Sequence, residues 1–288
     1  MSTSPGSTPR DLSAAGAPWL RWWKELAYVV AFYGVYSVVR NQFGSAAVSA
    51  VEARANAETI IRIQQAVGTY HEQTIQSWFL GARWFIQAWN LFYGTFHFVV
   101  TAMALIYLFR RFPRRYVRWR TALAWTTALA LVGYATFPLM PPRLLPDSYG
   151  FVDTLAVYGG LWSFDDGPME AVSNQYAAMP SLHFGWSTWS ACALFPVVRR
   201  GWARALLVVY PVATLFAIIV TGNHFWLDAA GGALVLALGY GAARLWDRRI
   251  DRRQAERLGR VVDDPPPGDQ AEAEVISAPL TPNGRAEV

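Results

Sequence analysis

Six long runs of apolar residues lie along the chain, and clusters of arginines stand at the ends of several of them. A helix needs about 20 mostly apolar residues to cross the hydrocarbon core of a bilayer. Each backbone N–H and C=O group in such a segment must be satisfied within the protein, which helices achieve. The runs predict an all-α polytopic membrane protein, a bundle of six transmembrane helices at residues 22–43, 84–109, 121–139, 181–198, 203–221 and 225–246.

Composition also favours a membrane protein over a soluble one. Charged residues are 16% and hydrophobic residues 53% of the 288 residues, whereas about 25% charged residues is typical of soluble domains. The net charge of +5 comes from arginines at the ends of apolar runs, which is the positive-inside pattern rather than a nucleic-acid-binding surface. The basic loops near 110–120, 199–204 and 244–253 predict a multi-pass protein of the cell membrane with both termini in the cytoplasm.

Three further segments complete the predicted organisation. Residues 1–20 are rich in Ser, Pro, Gly and Ala and predict a disordered tail. Residues 21–250 form one membrane-embedded domain, and the Pro-rich, acidic end predicts a disordered cytoplasmic tail over 251–288. Residues 51–83 place apolar side chains among charges and glutamines, which predicts an amphipathic helix at the membrane interface.

Two of the four histidines stand at the mouths of predicted spans. His183 opens the fourth span, and His224 precedes the sixth, with Asp228 four residues later. Residues four apart share one helix face, so Asp228 could accept the Nδ1 proton of His224 and leave Nε2 free as a nucleophile. The predicted topology places both histidines and Arg143 on the extracytoplasmic side. His183 could then act as general acid, and Arg143 could supply positive charge for a phosphoryl group.

Other interpretations of these residues stay open. A histidine in a membrane helix can serve as a hydrogen-bonding residue between helices. Two histidines and one carboxylate could form a metal triad, although nothing in the sequence supplies further ligands. Ser181, His183 and Asp228 could form an acyl-transfer triad, but residues two apart point to different helix faces and the chain has no Gly-x-Ser-x-Gly motif. No segment indicates an organic cofactor.

Two motifs resemble those of the type 2 phosphatidic acid phosphatase (PAP2) superfamily. PSLH at Pro180–His183 resembles its Pro-Ser-x-His motif, and HFWLD at His224–Asp228 resembles the His-x-x-x-Asp core of its last motif. The segments NLFYGTFHF and FPLMPPRLLP are similar to the branch of inositol phosphorylceramide synthases and their bacterial relatives. The resemblance, over residues 25–246, implies that His224 attacks phosphorus, that Asp228 orients it, and that His183 protonates the departing alkoxide and then activates water or an acceptor hydroxyl.

The chain departs from the phosphatases at positions that bind phosphate. Ala217 and Ile218 stand where the phosphatases carry Ser-Arg, and Thr136 stands where their first motif has Lys. A phosphodiester carries less charge and needs fewer cations, so these departures favour transfer of a phospho-head group, with phosphoinositol as one candidate, to a lipid or an alcohol. Two histidines, one carboxylate and one arginine suit such a transfer through a phosphohistidine, without a metal. Hydrolysis of phosphatidic acid or a polyprenyl phosphate is the alternative, and a non-catalytic lipid-binding membrane protein is a third hypothesis.

Four other residues are candidates for substrate binding. Arg40 and His97 could replace the missing cations, although a position near the middle of the second span is equally consistent with a structural role for His97. Tyr93 lies one helical turn before His97 and could contact a head group through its hydroxyl. Asn223 could donate a hydrogen bond to a phosphate oxygen, although asparagines in loops commonly serve as caps or in turns.

Overall fold

The structure, a computed structural model, describes residues 20–43, 49–159 and 175–263. Within these ranges the chain is helical and has no strands, and a single isolated parallel bridge pairs Leu139 with Ala177. The predicted all-α class is therefore confirmed for the described part. The α-helices are α1 (Trp22–Phe43), α2 (Ala50–Ala66), α3 (Glu72–Phe79), α4 (Arg83–Arg111), α5 (Pro113–Thr136), α6 (Thr154–Tyr158), α7 (Leu182–Leu194), α8 (Gly201–Val220) and α9 (Trp226–Asp263).

Among the described residues, three helices are long and apolar enough to cross a membrane. They are α4, α8 and the segment Trp226–Arg249 of α9, which correspond to the predicted second, fifth and sixth spans. Helix α7 has 13 residues, which at about 1.5 Å per residue is shorter than the ~30 Å hydrocarbon core. The chain is thus a membrane protein by its apolar helices, and six crossings stay a prediction.

Helix α5 starts earlier than the predicted third span. Its first residue is Pro113 rather than a residue near Thr121, and it carries four arginines before the apolar part begins. Proline is well suited to the first helical turn because no N–H is needed there. The arginine-rich segment that reads as a loop is therefore the first part of a helix.

The predicted amphipathic helix at 51–83 is wrong as a single element, because the segment forms α2 and α3. Gly68 lies between them with a φ of 71°, a left-handed conformation that favours glycine. Helix α2 buries one apolar face, and Trp78 at the end of α3 stays exposed. The buried face contacts the loop that follows α5, in a core made of Ala53, Ala57, Ile60, Ile61, Leu139, Met140, Leu145, Phe151, Ala178 and Phe225.

The predicted tails differ from the structure at one end. Helix α9 continues to Asp263, so residues 251–263 are helical where the sequence predicts a disordered tail. Residues 1–19 and 264–288, which include most of both predicted tails, lie outside the described residues. The chain divides into two compact units, one up to Ala243 and one from Arg244 onward, and all the site residues described below belong to the first.

Glycines on the buried face of α9 let this helix approach its neighbours closely. A Cβ atom on Gly232 would collide with the carbonyl oxygen of Ser181, and one on Gly239 would lie 2.6 Å from Thr126 Oγ1 of α5. Small residues allow this kind of backbone approach between membrane helices. The start of α7 is thereby held against the first turns of α9.

We expect Gly232→Ala to lower the thermal midpoint of the detergent-solubilised protein, because the added methyl must displace the Ser181 backbone and overpacking costs about 1–3 kcal/mol. Gly241→Ala is the matched control on the same helix, since a Cβ there meets no atom within 4 Å. The control should unfold at or above the wild-type temperature because alanine favours helix. Equal midpoints for the two variants would contradict the close approach.

Candidate active site

The turn between α8 and α9 fixes the position of His224. Gly222 reverses the chain with a φ of 68°, and the backbone N–H of His224 donates to the Ile218 carbonyl at 3.1 Å. Asp228 lies in the first turn of α9, and its Oδ2 accepts the Phe225 N–H at 2.9 Å. This contact satisfies one of the N–H groups that a helix start leaves without a partner. The carboxylate is therefore fixed by the helix start itself.

The ring of His224 has one nitrogen held and one nitrogen free. Nδ1 lies 2.9 Å from the Ala178 carbonyl oxygen and 3.2 Å from Asp228 Oδ2. Both neighbours are acceptors, so Nδ1 carries the proton and Nε2 presents its lone pair. Nε2 is buried and has no hydrogen-bond partner in the described part of the chain. This is the geometry expected from the four-residue spacing, with the Ala178 carbonyl as an additional acceptor.

The segment that precedes α7 brings His183 to the same place. The backbone N–H of Ser181 donates to the Asp228 carbonyl at 2.8 Å, and Ser181 Oγ accepts the Phe184 N–H as the N-cap of α7. His183 follows in the first turn, with its ring centroid 5.5 Å from that of His224. The Ser181 hydroxyl thus caps a helix, which is a structural role and differs from a role in an acyl-transfer triad.

Helix α4 contributes two rings that enclose His183. Tyr93 stacks on it, with centroids 4.1 Å apart and 22° between the ring planes. His97 meets it edge-on at 4.2 Å, and His97 Nδ1 donates to the Tyr93 carbonyl at 3.0 Å. Three of the four histidines of the chain therefore form one cluster with a tyrosine, and His97 belongs to the site although it lies well inside a membrane helix.

Arg143 lies beside the His224 turn and is already engaged. Its backbone N–H donates to the Gly222 carbonyl at 2.7 Å, and its Nε donates to Asn223 Oδ1 at 3.1 Å. Its Nη1 forms an ion pair with Asp153 Oδ2 at 2.5 Å. The guanidinium is buried, so Asp153 offsets much of the positive charge that the site would otherwise present.

Asn223 does not have the donor that the sequence analysis assigned to it. Its Nδ2 donates to Thr221 Oγ1 at 2.8 Å and to the Thr221 carbonyl at 3.4 Å, while its Oδ1 accepts from Arg143. A side-chain amide has two N–H donors, and both are used within the turn. Asn223 is therefore placed to orient Arg143, and a contact of its amide with phosphate stays a prediction.

The remaining predicted positions are placed as follows. Arg40 belongs to α1, but its side chain lies outside the described residues. Ala217 and Ile218 are fully buried in α8, and Thr136 Oγ1 donates to the Val132 carbonyl of its own helix. In the described ranges, no group of three or more His, Cys, Asp or Glu side chains is arranged to hold a metal ion.

Glu72 is a buried acid beside the site that the sequence analysis missed. Its carboxylate accepts the N–H groups of Trp226 and His71, both at 3.0 Å, and the side-chain amide of Gln64. Trp226 is the first residue of α9, where the helix dipole favours negative charge. An acid among glutamines in an amphipathic segment looks like a solvated residue, so the sequence carried no signal for this contact.

Residues 58–242 match the family model of the PAP2 superfamily. The chain belongs to the PAP2 superfamily. The matched region contains the whole cluster from Tyr93 to Asp228. No curated protein and no solved structure matched the chain. Membership predicts a phosphatase or phosphotransferase that acts on lipid phosphates.

We expect Asp228→Asn to lower turnover of a phosphate ester by about 10²–10⁴-fold, the range typical of a lost acid–base function. If His224 is the nucleophile, the amide removes the negative charge that would stabilise its ring in the cationic form. Asp147→Asn is the control, because Asp147 is an exposed acid of the loop that follows Arg143. Steady-state rates in mixed micelles test the pair, and a wild-type rate for Asp228→Asn would remove the carboxylate from the mechanism.

Proposed function

We propose that this PAP2-superfamily protein is a metal-independent lipid phosphotransferase. It would move a phospho-head group from one lipid to another, or to an alcohol, through a phosphohistidine at His224. The observation that carries the proposal is the buried Nε2 of His224, which has no hydrogen-bond partner among the residues that the structure describes, while two acceptors hold the ring at the opposite nitrogen. A fixed imidazole with one free lone pair is the arrangement that a nucleophile requires.

The proposed reaction has two displacements at phosphorus. In the first, His224 Nε2 forms a P–N bond while the P–O bond to the leaving lipid breaks, and His183 gives its proton to the departing alkoxide. In the second, His183 takes the proton of the acceptor hydroxyl, whose oxygen forms a new P–O bond as the P–N bond breaks. Asp228, 3.2 Å from Nδ1, stabilises the positive charge that the ring of His224 carries in the intermediate.

The charge of the site favours a phosphodiester donor. A monoester carries up to two negative charges, which need several cationic ligands in a buried site. Arg143 is paired with Asp153, and Ala217 and Ile218 occupy the positions of two further ligands as buried apolar residues. A diester carries one negative charge, which is why we propose a phosphodiester donor, with phosphoinositol as one candidate head group and the inositol phosphorylceramide synthase-like bacterial proteins as the proposed branch.

The second candidate is a lipid phosphate phosphatase. Superfamily membership favours it, and the same residues would hydrolyse phosphatidic acid or a polyprenyl phosphate if water were the acceptor. The difference between the two functions therefore lies in the donor's charge and in the acceptor.

A transfer assay separates the candidates. Purified protein in mixed micelles receives labelled phosphatidylinositol or phosphatidic acid, with and without a ceramide or diacylglycerol acceptor, and mass spectrometry follows new phospholipid and free phosphate. We expect an acceptor-dependent phospholipid from the diester, a loss of at least about 10²-fold in His224→Ala, and wild-type rates in His71→Ala, whose exposed ring contacts the Gly68 carbonyl.

The outcomes of this assay decide between the hypotheses. Free phosphate from the monoester alone would overturn the transferase in favour of the phosphatase. Equal turnover by wild type and His224→Ala, or no turnover of any lipid, would contradict both enzymes and favour the non-catalytic lipid-binding protein.

We also propose six crossings, both termini in the cytoplasm and a site that faces the extracytoplasmic side of the cell membrane. The support is the arginine-rich ends of α4 and α9 and the arginines that precede α8, which the positive-inside rule places in the cytoplasm. His183 lies in the first turn of α7 and His224 precedes α9, so both histidines would then lie toward the opposite face.

Single cysteines test this topology in intact cells. Cys192 is the single cysteine of the chain, so Cys192→Ser provides the background. Asp147 and Arg200 are both exposed. In that background, a membrane-impermeant maleimide should label Asp147→Cys in intact cells, whereas it should label Arg200→Cys only after the cells are lysed. The reverse labelling pattern would invert the orientation and place the site on the cytoplasmic side.

A further inference from the structure

Tyr93 contacts His183 with the face of its ring. The two rings are nearly parallel, at 22°, and their centroids are 4.1 Å apart. The side-chain ring of Tyr93 also lies 6.3 Å from that of His224. The sequence suggested that the Tyr93 hydroxyl contacts a head group, but the contact that the structure shows is made by the aromatic face.

His183 is surrounded by groups that disfavour its positive charge. His97 from α4 lies 4.2 Å away and His224 from the α8–α9 turn 5.5 Å away, both measured between ring centroids. Either ring repels an imidazolium at His183 when it is itself protonated. The described residues offer no hydrogen bond to the ring of His183, so its orientation and charge depend on ring contacts.

The face of an aromatic ring attracts a cation that lies over it. From the stacked geometry we infer that Tyr93 is a positioning residue for His183, one that holds the imidazole and stabilises its protonated form through the ring face. This inference rests on the proposed function, in which protonated His183 is the acid. The hydroxyl of Tyr93 has no part in this role, which separates it from a substrate ligand.

The step that Tyr93 supports is the transfer of one proton. As the P–N bond to His224 forms and the P–O bond breaks, the proton of His183 moves to the alkoxide oxygen, and His183 becomes neutral. An alkoxide is a strong base and needs this proton to leave. A p-nitrophenolate is a weak base and leaves without one, so it does not require the acid.

Two phosphodiester probes therefore isolate the role of Tyr93. Decyl p-nitrophenyl phosphate and didecyl phosphate, both in mixed micelles, are compared in single-turnover formation of the phosphoenzyme. We expect Tyr93→Leu to be slower on didecyl phosphate by about 5- to 30-fold, the effect expected for a buried cation–π contact, and to stay within about twofold of wild type on the nitrophenyl ester. Tyr93→Phe, which keeps the ring, should stay within about twofold on both.

Two reference variants accompany the test. His183→Ala should show the same selective loss, enlarged to about 10²–10⁴-fold, because it removes the acid itself. Tyr107→Leu replaces another tyrosine of α4, one that packs on Phe112 rather than on His183, and should match wild type on both probes. It controls for the loss of an aromatic ring from this helix.

Results that differ from these expectations contradict either the role of Tyr93 or the proposed function. Tyr93→Phe as slow as Tyr93→Leu would assign the role to the hydroxyl and overturn the inference. Equal losses on both probes for Tyr93→Leu would reveal a packing effect and also overturn it. If His183→Ala shows no leaving-group selectivity, or wild type forms no phosphoenzyme with either diester, the proposed function fails, and the inference fails with it.

Discussion

The backbone N–H groups at the start of α9 are the constraint on which the site depends. A helix start inside a membrane protein leaves N–H groups that water cannot satisfy. Asp228 accepts the Phe225 N–H and Glu72 accepts the Trp226 N–H. The oxygen of Asp228 that caps the helix also contacts Nδ1 of His224, so one carboxylate serves both helix capping and the orientation of the nucleophile.

The same constraint connects the other parts of the site. Ser181 donates its backbone N–H to the Asp228 carbonyl, and Glu72 brings α3 to the start of α9. Segments that are far apart in the chain are thus held at the start of α9 by one main-chain hydrogen bond, from Ser181, and by one carboxylate, that of Glu72. In a buried site such contacts matter, because every uncompensated charge is costly. The guanidinium of Arg143 beside the turn follows the same rule, since it is paired with Asp153.

The pairing of His224 with Asp228 and the long apolar helices could be predicted from the sequence, because both follow from the spacing and length of residue patterns. The four-residue spacing of His224 and Asp228 predicts one helix face, and apolar length predicts helices such as α4 and α8. Glu72 and the Ala178 carbonyl could not be predicted, since one is a charged residue that becomes buried through a tertiary contact and the other is a main-chain group that no residue type marks. The break between α2 and α3 was missed because a single glycine is compatible with a continuous amphipathic pattern.

The four histidines show how a membrane protein can assign different roles to one residue type. His71 is exposed, and its ring contacts the Gly68 carbonyl of its own loop. His97 and His224 each have Nδ1 held by a main-chain carbonyl, which selects the tautomer without adding charge. His183 is positioned by the rings of Tyr93 and His97. A nucleophile must keep one tautomer while an acid must exchange its proton, so this difference in restraint matches the difference in the roles proposed for His224 and His183.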